Sequence, residues 1–295
     1  MMMETDATFD LSQRKRRKNW LMALLRFTNN RLALVGAIII LLFLLITVFA
    51  SSIAPYTMDA QNVQDRLQAP GSNYLFGTDS LGRDIFSRTI FACRVSIPIG
   101  FLSMVISMTV GIIFGLVAGY FGGILDNLLM RFTDLVLSFP IFFLLLTIAA
   151  IFGPNVTTII WMLGLTSWGG TARIMRGQVL ALREMAYIEA ARCIGVRNSR
   201  IIFRHILINC MSVISVNATL LVAYSILVEG GLSFLGLGVQ PPMPSWGNMM
   251  AQGREILRTA WWASVFPGIF LFLVVISFNL VGDGLRDFFD PGKRN

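Results

Sequence analysis

Six runs of this chain extend for 17 to 26 residues without a single Asp, Glu, Lys or Arg. They cover residues 32–50, 95–120, 135–152, 156–172, 206–228 and 264–282. A backbone in lipid must satisfy its own N–H and C=O groups, so runs of this length predict helices crossing a hydrocarbon core about 30 Å thick. The fourth run is the shortest and is expected to continue toward Leu180. The turn Gly153-Pro154-Asn155 separates it from the third. The pattern predicts an all-α, polytopic membrane protein with six transmembrane helices.

Composition agrees. The chain has 295 residues, of which 55% are hydrophobic and 14% charged, with a mean hydropathy of +0.70. A soluble domain of that length would need more charge to cover its surface. The net charge of +8 could suggest a nucleic-acid partner, but the cations flank apolar runs instead of forming one stripe. With the N-terminus inside, 18 Lys and Arg fall on the cytoplasmic side and 6 outside, a positive-inside bias. This places both termini and the stretch 183–204 in the cytoplasm. Trp246, Trp261 and Trp262 then lie near the outer surface, where an aromatic belt is expected. The basic run 14–18 precedes an apolar segment longer than a signal-peptide core, so the first helix is expected to stay uncleaved, with 51–54 only a weak cleavage site. Cys93, Cys193 and Cys210 have no metal-like spacing, and His205 is the only histidine, so no metal site is expected.

The largest charged island between apolar runs spans 184–207. Within it stand Glu189-Ala190-Ala191, then Gly195, then Arg197, Arg200, Arg204 and His205. A short helix is expected over 183–192, with Gly195 as its C-cap and Asn198 or Ser199 capping a second turn. Small Ala190 and Ala191 would let that helix settle into a partner's groove while the arginines offer charge. A solvated basic loop that only fixes topology is the competing reading.

The island resembles the cytoplasmic coupling loop of ABC-importer permeases, and other stretches are similar to the dipeptide/oligopeptide type. These are Phe76-Gly77-Thr78-Asp79-Ser80-Leu81-Gly82-Arg83-Asp84, then Gly119-Tyr120-Phe121-Gly122-Gly123, then Met130-Arg131 with Asp134. Further on come Leu232-Ser233-Phe234-Leu235-Gly236-Leu237-Gly238 with Pro241-Pro242 and Trp246-Gly247, and the ending 278–291. Ile208 stands where the family usually has Pro. The resemblance implies the type I permease fold, with ATPase-coupling residues at Glu189, Ala190, Ala191, Gly195, Arg200 and His205. It also implies a second homologous permease, two cytoplasmic ATPases carrying ATP and Mg, and an extracytoplasmic solute-binding protein. The setting would be the bacterial cytoplasmic (inner) membrane and the cargo a di- or oligopeptide, with nickel or another small solute as the alternative. The chain itself has no P-loop, since its only Gly-Lys, Gly292-Lys293, is followed by Arg294. No catalytic residue and no bound cofactor are expected on it.

On this reading the chain divides into a cytoplasmic basic segment 1–31, a first helix and external loop 32–94, a core permease domain 95–285 and a tail 286–295. Ser103, Ser107, Gly111, Gly115 and Gly119 recur every fourth residue. Such a face lets membrane helices approach closely; a glycine-lined pore is the alternative. Leu116, one position off the stripe, is expected to face lipid or a looser contact. In the fifth run Ser212, Ser215 and Thr219 share one face and Asn217 and Tyr224 the other. Asn217 and Tyr224 are candidates to line a translocation path, or else to bond neighbouring helices. Arg131 and Asp134 are expected to pair, and Glu229 to sit near water at the outer end of its helix. The external segments 79–84 and 240–246 are candidates for docking or gating. An ion-coupled secondary transporter would need intramembrane carboxylates, for which only Asp134 and Glu229 are available.

Overall fold

In the computed structural model, which describes residues 30–289, ten helices account for most of the chain. The basic run 14–18, the start of the N-terminal segment and the tail from 290 on, with Gly292-Lys293, lie outside the described residues. Helix α1 is Arg31–Ile53, capped by the Asn30 side chain, which accepts from the Ala33 amide at 3.2 Å. Helix α2, Ile85–Phe121, starts on Asp84, whose carboxylate accepts from the Ser87 amide at 2.8 Å. At 37 residues it is about 55 Å long and overruns the hydrocarbon at one end or both.

Then come α3 (Gly123–Ser138), α4 (Ile141–Phe152), α5 (Val156–Thr166), α6 (Trp168–Arg183) and α7 (Ala186–Cys193). A short turn, Asn198–Arg200, passes through π-helical Ile201–Ile206 into α8, Leu207–Phe234. Helix α9, Trp246–Glu255, opens on a capping box made by Ser245 and Asn248, and α10, Trp262–Phe289, completes the described chain.

The third and fourth expected spans are not single helices. Pro140 has no amide to donate, and α3 and α4 meet there at 80°. The fourth breaks at Ser167 into α5, 11 residues long and so about 16 Å, and α6. Among the described residues four helical stretches are individually long and apolar enough to cross a membrane: α1, α2, Asn198–Phe234 and α10. The bent α3–α4 pair makes a fifth. A sixth crossing requires α5 and α6 to act together.

Helix α2 is the central post, packed against α1, α5, α6 and α8. Its small-residue face lies against α5 and α6. The Ser103 hydroxyl donates to the Ile160 carbonyl at 3.2 Å. A Cβ on Gly111 would stand 2.6 Å from the Thr171 Cβ, and one on Gly119 would stand 2.7 Å from that of Val179. One on Gly115 would strike Met175 and come within 2.7 Å of the Ala172 carbonyl oxygen. Leu116 does not face lipid. It is 5% exposed and packs with Met175, Val179 and Ile206, because α6 and α8 flank this turn of α2 from two sides.

The segment between α1 and α2 folds down onto α9 and α10 instead of projecting outward. Asp79 accepts from the Leu81 and Arg83 amides at 2.9 and 3.0 Å and from the Arg83 guanidinium at 2.7 Å. Arg83 reaches across to the Gln252 side chain of α9 at 2.9 Å. Asp79, Arg83 and Asp84 are all buried, leaving only Ser80 and Leu81 of 79–84 exposed. In the same layer the Tyr74 phenol donates to Asp65 at 3.0 Å and is held above its usual pKa, by burial first and by Asp65 second. Trp246 and Trp262 are not belt residues. Both are buried, donating to the Thr89 and Thr78 carbonyls at 3.2 and 3.1 Å, and only Trp261 is exposed. Glu229, expected near water, is 0% exposed. Ser96 of α2 and Ser233 of α8 donate to its two oxygens at 3.1 and 2.7 Å, and Ser233 in turn accepts from the Val239 amide. These bonds satisfy a polar group that burial would otherwise strand.

Candidate functional site

Helix α7 has eight residues and a sharply defined end. Gly195, at φ +75, allows the chain to reverse there. Its amide donates to the Arg192 carbonyl at 3.0 Å and the Val196 amide donates to Ala191 at 3.1 Å, the paired bonds of a Schellman turn. A Cβ on Gly195 would meet nothing within 4 Å, so the glycine is required by its dihedral angle and not by crowding.

One edge of α7 is apolar and buried. Ile188 and Ala191 join Ile201 and Ile206 from the π-helical segment, Cys210 from the start of α8, and Met175 and Val179 from α6. Of the two alanines expected to meet a partner, Ala191 is therefore turned inward and only Ala190 faces out. The rest of the outer surface is Tyr187, Glu189, Arg192, Cys193 and Ile194, with Arg197, Arg200 and Arg204 following. Ile194 is 79% exposed at the tip of the turn. His205 is half-buried. The segment is a firmly seated platform with a mixed basic and apolar outer face.

Asn198 does not cap the second turn. The cap position falls on Arg197, without a side-chain bond, and the Asn198 side-chain amide oxygen instead accepts from the Tyr120 hydroxyl of α2 at 2.8 Å. The Arg192 guanidinium lies 5.1 Å from the Tyr120 ring centroid, and Arg183 donates to the Gly119 carbonyl at 3.1 Å. The C-terminal end of α2 thus touches the platform on both sides of its turn.

Two ion pairs tie α3 to α6. Asp126 takes both arms of the Arg176 guanidinium, at 2.6 and 2.7 Å, the forked geometry that arginine favours. Asp134 pairs with Arg173 at 2.6 Å and not with Arg131, because α6 brings a cation to that face of α3. The Asp126 pair was missed from sequence, since its partners lie 50 positions apart and no local spacing marks them.

Of the two path candidates, Asn217 lines the cleft described next and Tyr224 does not. A cleft of ≈ 380 Å³ lies between α6, α8 and α10, bounded by Ile174, Ser212, Val213, Val216, Asn217, Leu220, Arg286 and Phe289. Ser212 and Asn217, assigned to opposite faces from spacing, both border it. The Asn217 amide also donates to Thr171 at 2.9 Å. Tyr224 is exposed two turns further along α8 and does not line this cleft. Ser215 and Thr219 bond back to carbonyls of their own helix at 2.7 and 2.8 Å. Among the described residues no cluster of His, Cys, Asp and Glu could hold a metal ion.

A short amphipathic helix seated against the ends of long apolar helices agrees with the family that the sequence matches. Residues 111–295 match the family model described as binding-protein-dependent transport system inner membrane component. The chain belongs to this family. Residues 18–70 also match the N-terminal TM domain of oligopeptide transport permease C. The dipeptide transport system permease protein DppC of Alkalihalophilus pseudofirmus is 41% identical over 276 residues, covering 94% of this chain and 91% of that protein. The oligopeptide transport system permease protein OppC of Bacillus subtilis is 40% identical, covering 93% and 90%. The glutathione transport system permease protein GsiD of Pectobacterium atrosepticum is 39% identical, covering 90% and 89%. As an inner membrane component of this family, the chain is a permease subunit and not an enzyme, and ATP hydrolysis belongs to separate subunits.

Proposed function

We propose that this chain is one of two permeases in an ATP-driven importer of di- or oligopeptides, with the platform around α7 as the contact through which ATPases drive it. The observation that carries this reading is the form of that platform. Its inner edge is fixed to α2, α6 and α8, while Glu189, Ala190 and Ile194 are left exposed on and just past one short helix. An exposed apolar and charged helix on a membrane protein is a surface built for a partner. In this reading the partners are two cytoplasmic ATPases carrying ATP and Mg, in keeping with a sequence that has no P-loop. A second homologous permease and a solute-binding protein complete the complex, in a bacterial inner membrane with both termini and α7 on the cytoplasmic side.

Closure of the ATPases on ATP would move α7, and with it α2, α6 and α8, so that the path turns toward the docked binding protein; hydrolysis would restore the inward-facing state. The relatives' names, dipeptide and oligopeptide transport permeases among them, support peptides as cargo. The cleft bordered by Asn217 and Ser212 is our candidate for part of the path or its lining contacts. In this reading the small-residue face Ser103, Ser107, Gly111, Gly115 and Gly119 keeps α2 and α6 close enough to move together.

Glu189→Lys reverses the charge of an exposed side chain without disturbing the buried edge of α7. The variant is expected to reach the membrane and to assemble with the second permease, but to lose ATPase binding and peptide uptake. Co-purification of the ATPases and uptake of a labelled mixture of di- to pentapeptides measure this. Normal association and uptake in the variant would remove α7 as the docking contact.

A further inference from the structure

We infer that Tyr120 is the positioning residue that makes the α7 platform and the long helix α2 move as one body. This rests on the proposed role of α7 as the ATPase contact. Tyr120 occupies the last turn of α2 and is 6% exposed. Its ring receives the Arg192 guanidinium from the end of α7 at 5.1 Å, and its hydroxyl donates to Asn198, past the Gly195 turn, at 2.8 Å. One side chain therefore grips the segment before and after its reversal point. The neighbouring Gly119 carbonyl accepts from Arg183, at the end of α6, at 3.1 Å.

The geometry matters because the rest of the platform contact with α2 is apolar. Leu116, Ile188 and Ala191 pack in one cluster, and apolar packing resists separation but is non-directional. A hydrogen bond and a cation over a ring add directional constraints at two points. Displacement of α7 along the membrane plane is then carried to Tyr120, and from it to the face at Gly111, Gly115 and Gly119, where α6 rides with almost no clearance. Arg192 and Asn198 lie on the platform but point at Tyr120, so they connect the platform to α2 and leave Glu189, Ala190 and Ile194 for an ATPase.

The test uses the intact complex in proteoliposomes, with its ATPases and binding protein and a labelled mixture of di- to pentapeptides as probe. Tyr120→Phe keeps the ring under Arg192 and removes the bond to Asn198; Tyr120→Leu keeps apolar volume and removes both contacts. The readout is the ratio of ATP hydrolysis with the peptide-loaded binding protein to hydrolysis without it, beside peptides imported per ATP. Both should fall about three- to tenfold in Tyr120→Phe, the effect of losing one neutral hydrogen bond, and further in Tyr120→Leu. Asn198→Leu should match Tyr120→Phe, and the double variant should be no worse than either, since the two groups act through one bond. Variants that assemble and keep the wild-type ratio overturn the inference while leaving the importer reading intact. Loss of assembly in Tyr120→Phe, as in Tyr120→Leu, marks a purely structural role and overturns it as well. A wild-type complex without ATP-dependent uptake removes the importer reading and this inference together.

Discussion

At Gly115 the absence of a side chain decides how close two helices come. A Cβ there would press on Met175 and stand 2.7 Å from a backbone oxygen of α6, and backbone cannot swing aside as a rotamer can. Gly115→Leu is therefore expected to reduce the yield of intact complex in detergent, at the upper end of the roughly 1–3 kcal/mol usual for overpacking. Ile113→Phe, at a position 54% exposed, is the proper comparison and should assemble normally, whereas Leu116, once expected to look outward, is too buried to serve. Equal yields from the two variants would remove the α2–α6 contact as a constraint. The period of four was legible because small residues advertise a close approach; which helix makes that approach was not. Charged residues were read less well for a related reason. Sequence reports that Asp134 and Glu229 are acidic, but their partners, Arg173 and Ser96, come from elements 39 and 133 positions away.

Among the elements, α7 depends on a single left-handed residue. Gly195→Ala forces a side chain into a conformation that costs about 1–2 kcal/mol, and Gly195→Pro also removes the amide that bonds Arg192 and fixes φ with the wrong sign. Uptake is expected to fall in the order wild type, Ala, Pro, while membrane insertion of the permease, followed by protease protection, remains. A proline variant with wild-type uptake would show that the turn at Gly195 is dispensable. The helix and its glycine were readable from spacing, as were α1, α2, α8 and α10 from their charge-free lengths. The break at Ser167 was not, since serine is an ordinary helix residue in lipid and no Gly-Pro pair marks the place. Nor could sequence show that the motif around Asp79 and Arg83 is an internal staple. A charged external loop and a buried ion pair are written with the same letters.

The molecule as a whole has a sidedness that its arginines imply. On a Cys193→Ser background, which removes the exposed native thiol, Ser199→Cys should react with an impermeant maleimide only in opened membranes. Ser80→Cys should react in intact cells. Labelling of Ser199→Cys from outside would invert the topology and with it the placement of the ATPases. The positions of α1 and α10 bear on how such a chain is made. Gly36 packs against the Ser277 carbonyl, 2.8 Å from where its Cβ would be, so the first helix finds one of its principal neighbours in the last. Some 240 residues separate them, which at roughly 5–20 residues per second is about 12–50 s of translation. Until α9 brings Trp246 against Phe43, with ring centroids 5.9 Å apart, α1 packs on α2. The Arg94 guanidinium, bonded to the Thr47 and Val48 carbonyls at 2.9 and 2.8 Å and to the Ser51 hydroxyl at 2.8 Å, supplies that early hold. An Arg94 variant should accordingly expose its first helix to membrane proteases during translation, until the later helices pack on it.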